Sequence, residues 1–151
     1  MSYMNYPNKI FVHCSATDDK QTQIDIRDID VWHRKRGWDG CGYHYVITKT
    51  GVIQRGREDH QIGAHVKGFN TDSIGICLIG MRDFNRLQIA SLINLLYNLM
   101  IKYNIDSTDL RGHYEVDPNK TCPNIPGELL RILMESEIAN QKAGRQPLLV
   151  V

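Results

Sequence analysis

Apolar residues along the chain fall into two kinds of run, and each predicts a different element. The first kind is short, β-branched or aromatic. Lys9-Ile10-Phe11-Val12-His13 reads as a strand, and Gly42-Tyr43-His44-Tyr45-Val46-Ile47 reads as another. Thr50-Gly51 forms a turn after it, and Val52-Ile53-Gln54 returns as the hairpin partner. Ser73 to Gly80 is almost continuously apolar, the pattern of a strand buried on both faces. The second kind has helical spacing. Ile26, Ile29, Trp32 and His33 predict a helix over 25–36, with Gly37 as its stop signal. Ile89, Leu92, Ile93, Leu96, Leu99, Met100 and Tyr103 form one stripe of a helix over 86–103. Pro126 suits the first position of a last helix, which turns Leu130, Leu133 and Met134 inward.

Between these runs lie polar segments. Residues 15–23 and 56–72 read as loops, and 104–125 is rich in turn residues such as Asn104, Gly112, Pro118 and Pro123. Strands with interspersed helices imply an α/β fold, and a hairpin within the sheet makes that sheet mixed rather than all-parallel. The expectation is one domain over 1–151: a central mixed β-sheet flanked by helices, with its core at 9–142. The tail 143–151, ending Pro-Leu-Leu-Val-Val, either docks or dangles.

Composition narrows the function classes. The chain has 151 residues, 42% hydrophobic and 23% charged, as in an ordinary globular domain able to bury its core without disulfides. A net charge of +1 and the lack of a long basic run argue against a nucleic-acid partner. The apolar runs fall far short of the roughly 18 residues that a membrane span needs, so no membrane insertion is expected. Met1 to Lys9 is polar, contains Pro7 and lacks the apolar stretch of a signal peptide. Cys14, Cys41, Cys77 and Cys122 are scattered, and without a signal peptide they are expected as reduced thiols. Nothing demands more than a monomer.

Three candidate metal ligands stand where predicted structure gives way to loop. His13 closes the first strand, His113 follows Arg111-Gly112, and Cys122 comes nine residues later, before Pro123. Imidazole and thiolate suit zinc. Three protein ligands leave a fourth position for water, the pattern of a catalytic site. Spacing alone leaves the matter open. A histidine at a strand end is more often structural, and a buried cysteine is usually a small apolar residue.

The segment Ile10-Phe11-Val12-His13-Cys14-Ser15-Ala16-Thr17 resembles the first zinc motif of the type-2 N-acetylmuramoyl-L-alanine amidases. That family shares its fold with the peptidoglycan recognition proteins. Further segments resemble it in the expected order: Trp32-His33 through Gly37-Trp38, Gly42-Tyr43-His44-Tyr45, Gly63-Ala64-His65 through Asn70, and Ser73-Ile74-Gly75-Ile76. The run from His113 to Pro123 closes the set. The resemblance extends from about residue 9 to residue 135 and is nearest to the short single-domain endolysins of podophages. It implies one Zn2+ per chain, held by His13, His113 and Cys122. It also implies that Tyr43 lies near the zinc-bound water and Lys120 near the scissile carbonyl, with both acting on the oxyanion of amide hydrolysis. The spacing from His113 to Cys122 is one residue longer than in those endolysins and resembles that of cytosolic muropeptide amidases, which bears on Lys120 more than on the ligands.

The remaining candidates are weighed singly. Neighbours in a strand point to opposite faces, so Tyr43 and His44 do not both face the metal; Tyr43 is preferred and His44 left to packing or support. His33 reads as a hydrogen-bonded core residue, and His60 as plain loop. His65 matches a groove position that touches glycopeptide. Arg57 offers bidentate pairing to a peptide carboxylate, whereas Arg34-Lys35-Arg36 reads as a solvated helix end.

The function implied is a phage endolysin that hydrolyses the bond between N-acetylmuramic acid and L-alanine in peptidoglycan. It would be made in the host cytoplasm and act on the periplasmic wall. Three alternatives stand beside it. A non-lytic peptidoglycan-binding module is disfavoured by the presence of Cys122 and Tyr43. A cytosolic muropeptide-recycling amidase would prefer soluble fragments. Some podophage relatives also bind and inhibit their virus's RNA polymerase. This chain shows no separate motif for that partner, and its arm before the first strand is short.

Overall fold

The computed structural model describes residues 2–4 and 6–146. Five strands make one sheet: β1 (Lys9–Cys14), β2 (Tyr45–Ile47), β3 (Ile53–Arg55), β4 (Ser73–Leu78) and β5 (Leu110–Gly112). Their order is β3-β2-β4-β1-β5. The β2–β3 hairpin is antiparallel and the other three pairings are parallel, so the sheet is mixed as expected. Among the described residues, three α-helices flank the sheet: α1 (Ile26–Lys35), α2 (Arg86–Tyr103) and α3 (Gly127–Lys142).

Helix boundaries follow from their caps. Asp25 and Asp28 form a capping box at the start of α1, and Asn85 and Gln88 form one at the start of α2. Asn104, in the left-handed conformation, ends α2. The last helix begins at Gly127, with Pro126 just outside it at the cap rather than inside the first turn. Leu130 and Met134 are buried there, and Leu133 is half-buried. Among the described residues no helix is long and apolar enough to cross a membrane. Residues 143–146 are exposed, and the rest of the tail lies outside the described residues.

Strand alternation divides the buried residues between two faces. Ile10, Val12, Tyr45, Ile47, Ile74, Ile76 and Leu78 pack with Leu92, Leu96, Leu99 and Met134 from α2 and α3 in the main core. On the other face, Val46, Cys77 and Ile79 join Ile29 of α1 in a smaller cluster. His13 alternates with Val12 and so belongs to this second face, which leaves room for a site.

Three boundaries differ from the sequence reading. The second strand starts at Tyr45, not Gly42. Gly75 N–H is taken by the His44 ring at 3.0 Å, while His44 N–H reaches Gly75 O at 2.9 Å, so the backbone bends at Tyr43 and His44. Its partner strand runs Ile53–Arg55, one residue later than expected. Strand β5 lies inside what reads as turn-rich loop, because three residues with a single apolar side chain carry no periodic signal.

Candidate active site

Register alone places two of the ligand candidates side by side. Strands β1 and β5 are parallel with Val12 opposite Gly112, so the next residues, His13 and His113, emerge together. Their Nδ1 atoms lie 3.1 Å apart. Cys122 is returned to them by the loop after β5, where Tyr114 N–H donates to Cys122 O at 3.0 Å. Its Sγ is 3.5 Å from His113 Nδ1 and 4.0 Å from His13 Nδ1. Gly112 permits this closure, since a Cβ there would stand 2.8 Å from both Pro123 Cδ and the Tyr114 ring. The loop is anchored to the start of α3: Gly127 N–H donates to Tyr114 Oη at 2.8 Å, and Arg131 pairs with Glu115 at 3.0 Å.

The geometry and donor set suit zinc. Bonds of about 2.0–2.1 Å to nitrogen and 2.3 Å to sulfur, arranged tetrahedrally, separate two nitrogens by roughly 3.3 Å and nitrogen from sulfur by roughly 3.6 Å. The three observed separations lie within about half an ångström of these values, and the three ligand atoms fall within 4.8 Å of one another. Contact with Cys14 and with the His113 and His13 rings draws the Cys122 thiol well below its ordinary value despite burial. Burial holds the His13 imidazole below its usual value, which favours the neutral ligand form. His113 Nε2 faces Asp117 Oδ2 at 3.8 Å, a carboxylate behind the ligand that sequence reading missed.

His113 and Cys122 line an open cleft of about 760 Å³, and His13, which contacts both, is buried. Tyr43, His65 and Lys120 all line the cleft, together with the cations Arg36 and Lys67. The Tyr43 ring centroid is 5.0 Å from that of His13 and 5.5 Å from that of His33. Had regular alternation continued back from Tyr45, Tyr43 would have faced α2; the bend turns it into the cleft. Burial, with the neighbouring cysteines, pushes its phenol well above the ordinary range, so the hydroxyl remains a donor. Lys120 is exposed at the rim. His33, also in the wall, accepts Gly42 N–H at Nδ1 (2.8 Å) and stacks edge-on against Trp38.

Of the two expected substrate contacts, His65 lines the cleft and Arg57 does not. The Arg57 Nε donates to Cys41 O at 3.1 Å and its Nη1 to Ile62 O at 2.8 Å, so the guanidinium ties the 56–62 loop to the chain before β2. His65 does reach the cleft wall, yet it is 8% exposed and both ring nitrogens have partners inside the protein, His13 and Ser73. The Asn70 side chain fixes this segment by accepting from the His65 and Val66 N–H groups, both at 2.9 Å. The sequence signal for that anchor is the asparagine closing the Gly68-Phe69-Asn70 turn.

Comparison with known proteins agrees with this geometry. The family described as N-acetylmuramoyl-L-alanine amidase matches residues 3–125. The endolysin of Escherichia phage T7 is 39% identical over 143 residues, covering 89% of this chain and 91% of its own. The structure of the endolysin amidase LysCS from Clostridium intestinale superposes with a TM-score of 0.75 at 33% identity, over 97% of this chain and 90% of its own. Drosophila PGRP-LB gives a TM-score of 0.71 at 26% identity, over 99% and 89%. The chain belongs to the N-acetylmuramoyl-L-alanine amidase family.

Proposed function

We propose that this protein is a zinc-dependent endolysin that cleaves the amide between N-acetylmuramic acid and the L-alanine of the peptide stem in peptidoglycan. The observation that carries the reading is the convergence of His13 Nδ1, His113 Nδ1 and Cys122 Sγ within 4.8 Å of one another, with His113 and Cys122 lining an open cleft. These atoms would hold the zinc, which when bound supplies Lewis acidity to water and to the scissile carbonyl. The chain's own groups supply the rest. Tyr43, kept protonated, donates a hydrogen bond to the oxygen that gains charge as water attacks. The Lys120 ammonium, on a long side chain at the rim, approaches the same oxygen from solvent. Hydrolysis places OH on the carbonyl carbon and H on the departing alanine nitrogen, the proton coming from the attacking water. Arg36, Lys67 and Lys120 give the walls a positive bias suited to the carboxylates of a stem peptide.

The test is digestion of purified Gram-negative sacculi beside soluble muropeptides. An endolysin releases soluble material from sacculi with a new N-terminal alanine. Release only from soluble fragments would make the protein a recycling amidase, and binding to sacculi without release would make it a recognition module.

A further inference from the structure

Behind the ligand trio, a line of hydrogen bonds runs from a backbone carbonyl to His13. Ser73, fully buried at the start of β4, donates its hydroxyl to Phe69 O at 2.6 Å. A hydroxyl has one proton, so toward His65 Nε2, 3.2 Å away, Ser73 Oγ accepts. His65 Nε2 therefore carries the ring proton, and in the neutral ring Nδ1 is bare. That bare Nδ1 faces His13 Nε2 at 2.9 Å, a contact that requires a donor. His13 Nε2 carries its proton in turn, and His13 Nδ1 is left as a lone pair. This is the atom that faces His113 and Cys122.

The fold makes room for this line. Gly75 lies beneath the His65 ring, and a Cβ there would stand 2.5 Å from His65 Cγ. Gly63 opens the other side, where a Cβ would meet His65 Cδ2 at 2.7 Å. Asn70 clamps the backbone on which His65 stands.

We infer that His65 and Ser73 are positioning residues: they fix the tautomer and ring orientation of His13 so that Nδ1 is presented as the metal ligand. The inference rests on the zinc reading above. Its mechanism is that a ligating imidazole holds metal more tightly when its second nitrogen has a fixed acceptor.

Two measurements test it. The first is the ring-nitrogen NMR spectrum of the metal-free wild-type protein, which needs neither zinc nor a variant. His13 and His65 should both carry the proton on Nε2; a proton on Nδ1 of either overturns the inference. The second is zinc affinity by chelator competition. His65→Leu should bind zinc about 10–100-fold more weakly, and His65→Asn, whose Oδ1 offers an acceptor near the same place, should recover most of the loss. Ser73→Ala should weaken binding by about tenfold. Unchanged affinity in His65→Leu overturns the inference while leaving the zinc reading intact. A wild-type protein that binds no zinc defeats the zinc reading, and the assigned role falls with it.

Discussion

Two clusters of buried polar groups bear comparison, one on the α2 side of the molecule and one on the cleft side. At Asp59, donors converge on an acceptor: Tyr45 Oη and Tyr103 Oη each reach the carboxylate at 2.5 Å, and Arg55 Nη1 at 2.7 Å. Beside the cleft, three atoms that could hold a metal converge with no carboxylate among them. The first cluster balances its own charge and ties the β2–β3 hairpin to α2 and the 56–62 loop. The second brings electron-rich atoms together, an arrangement that a bound cation would balance. Structure and function thus use buried polarity in opposite senses: one site is complete within the chain, and the other, on the reading proposed above, is completed from outside.

The sharpest way to break this comparison is to remove one member from each cluster. His113→Ala should lower amide hydrolysis by about 10³-fold or more, since a ligand to the catalytic centre is lost, while the urea midpoint of the metal-free protein changes little. A variant that still digests sacculi at the wild-type rate would remove the trio from the chemistry. Tyr43→Phe should be milder, about 10²-fold in kcat, with zinc retained; loss of zinc together with activity would assign Tyr43 to metal binding instead. Asp59→Asn should do the reverse of His113→Ala. It puts an amide among three donors and should cost about 2 kcal/mol in urea unfolding, with kcat unchanged.

Acid should separate the two sides by a graded rather than abrupt effect. Burial, with Arg36 and Arg57 nearby, lowers the His33 imidazole to about 4, and burial also lowers His44. Burial alone would raise the Asp59 carboxyl, but hydrogen bonds from Tyr103, Tyr45 and Arg55 hold it below its ordinary 3.8. Asp19 is likewise lowered, with Lys49 and three backbone N–H groups outweighing burial. For all four groups the folded value lies below the unfolded one. Their contributions are therefore complete above the unfolded value and are lost as pH falls through the folded one. Stability of the metal-free protein should begin to fall near pH 6.5, at up to about 1.4 kcal/mol per pH unit for each histidine. The carboxylates should add to that loss only below about pH 3.8. A stability profile flat between pH 6.5 and 4.5 would show that His33 and His44 protonate freely in the fold.

Much of this architecture was legible in the sequence where local chemistry and tertiary packing agree. Helix α2 has its cap pair Asn85–Gln88, an apolar stripe and Asn104 at its end, and it occupies the span the pattern predicts. The ligand trio was legible only through the motifs around it, because His13 and Cys122 lie 109 positions apart and the pairing of β5 with β1 that unites His13 with His113 has no periodic signal. Tyr43, preferred over His44, lines the cleft, although the alternation behind that choice fails at the bend; the His44 side chain competes with the backbone ladder for Gly75 N–H. The placements of Arg57 and His65 were beyond the sequence. Whether an arginine faces solvent, a cleft or two carbonyls depends on loop geometry, and a histidine in a groove motif says nothing about what lies behind its ring.

The most direct test of the account is the zinc content of wild-type protein and of Cys122→Ala after chelation and readdition of metal, measured alongside release of N-terminal alanine from sacculi. The account predicts about one zinc per chain in the wild type, with both metal and release lost by chelation, restored by zinc, and absent from Cys122→Ala. Release by the metal-free wild type, or full zinc retention and activity in Cys122→Ala, would contradict it.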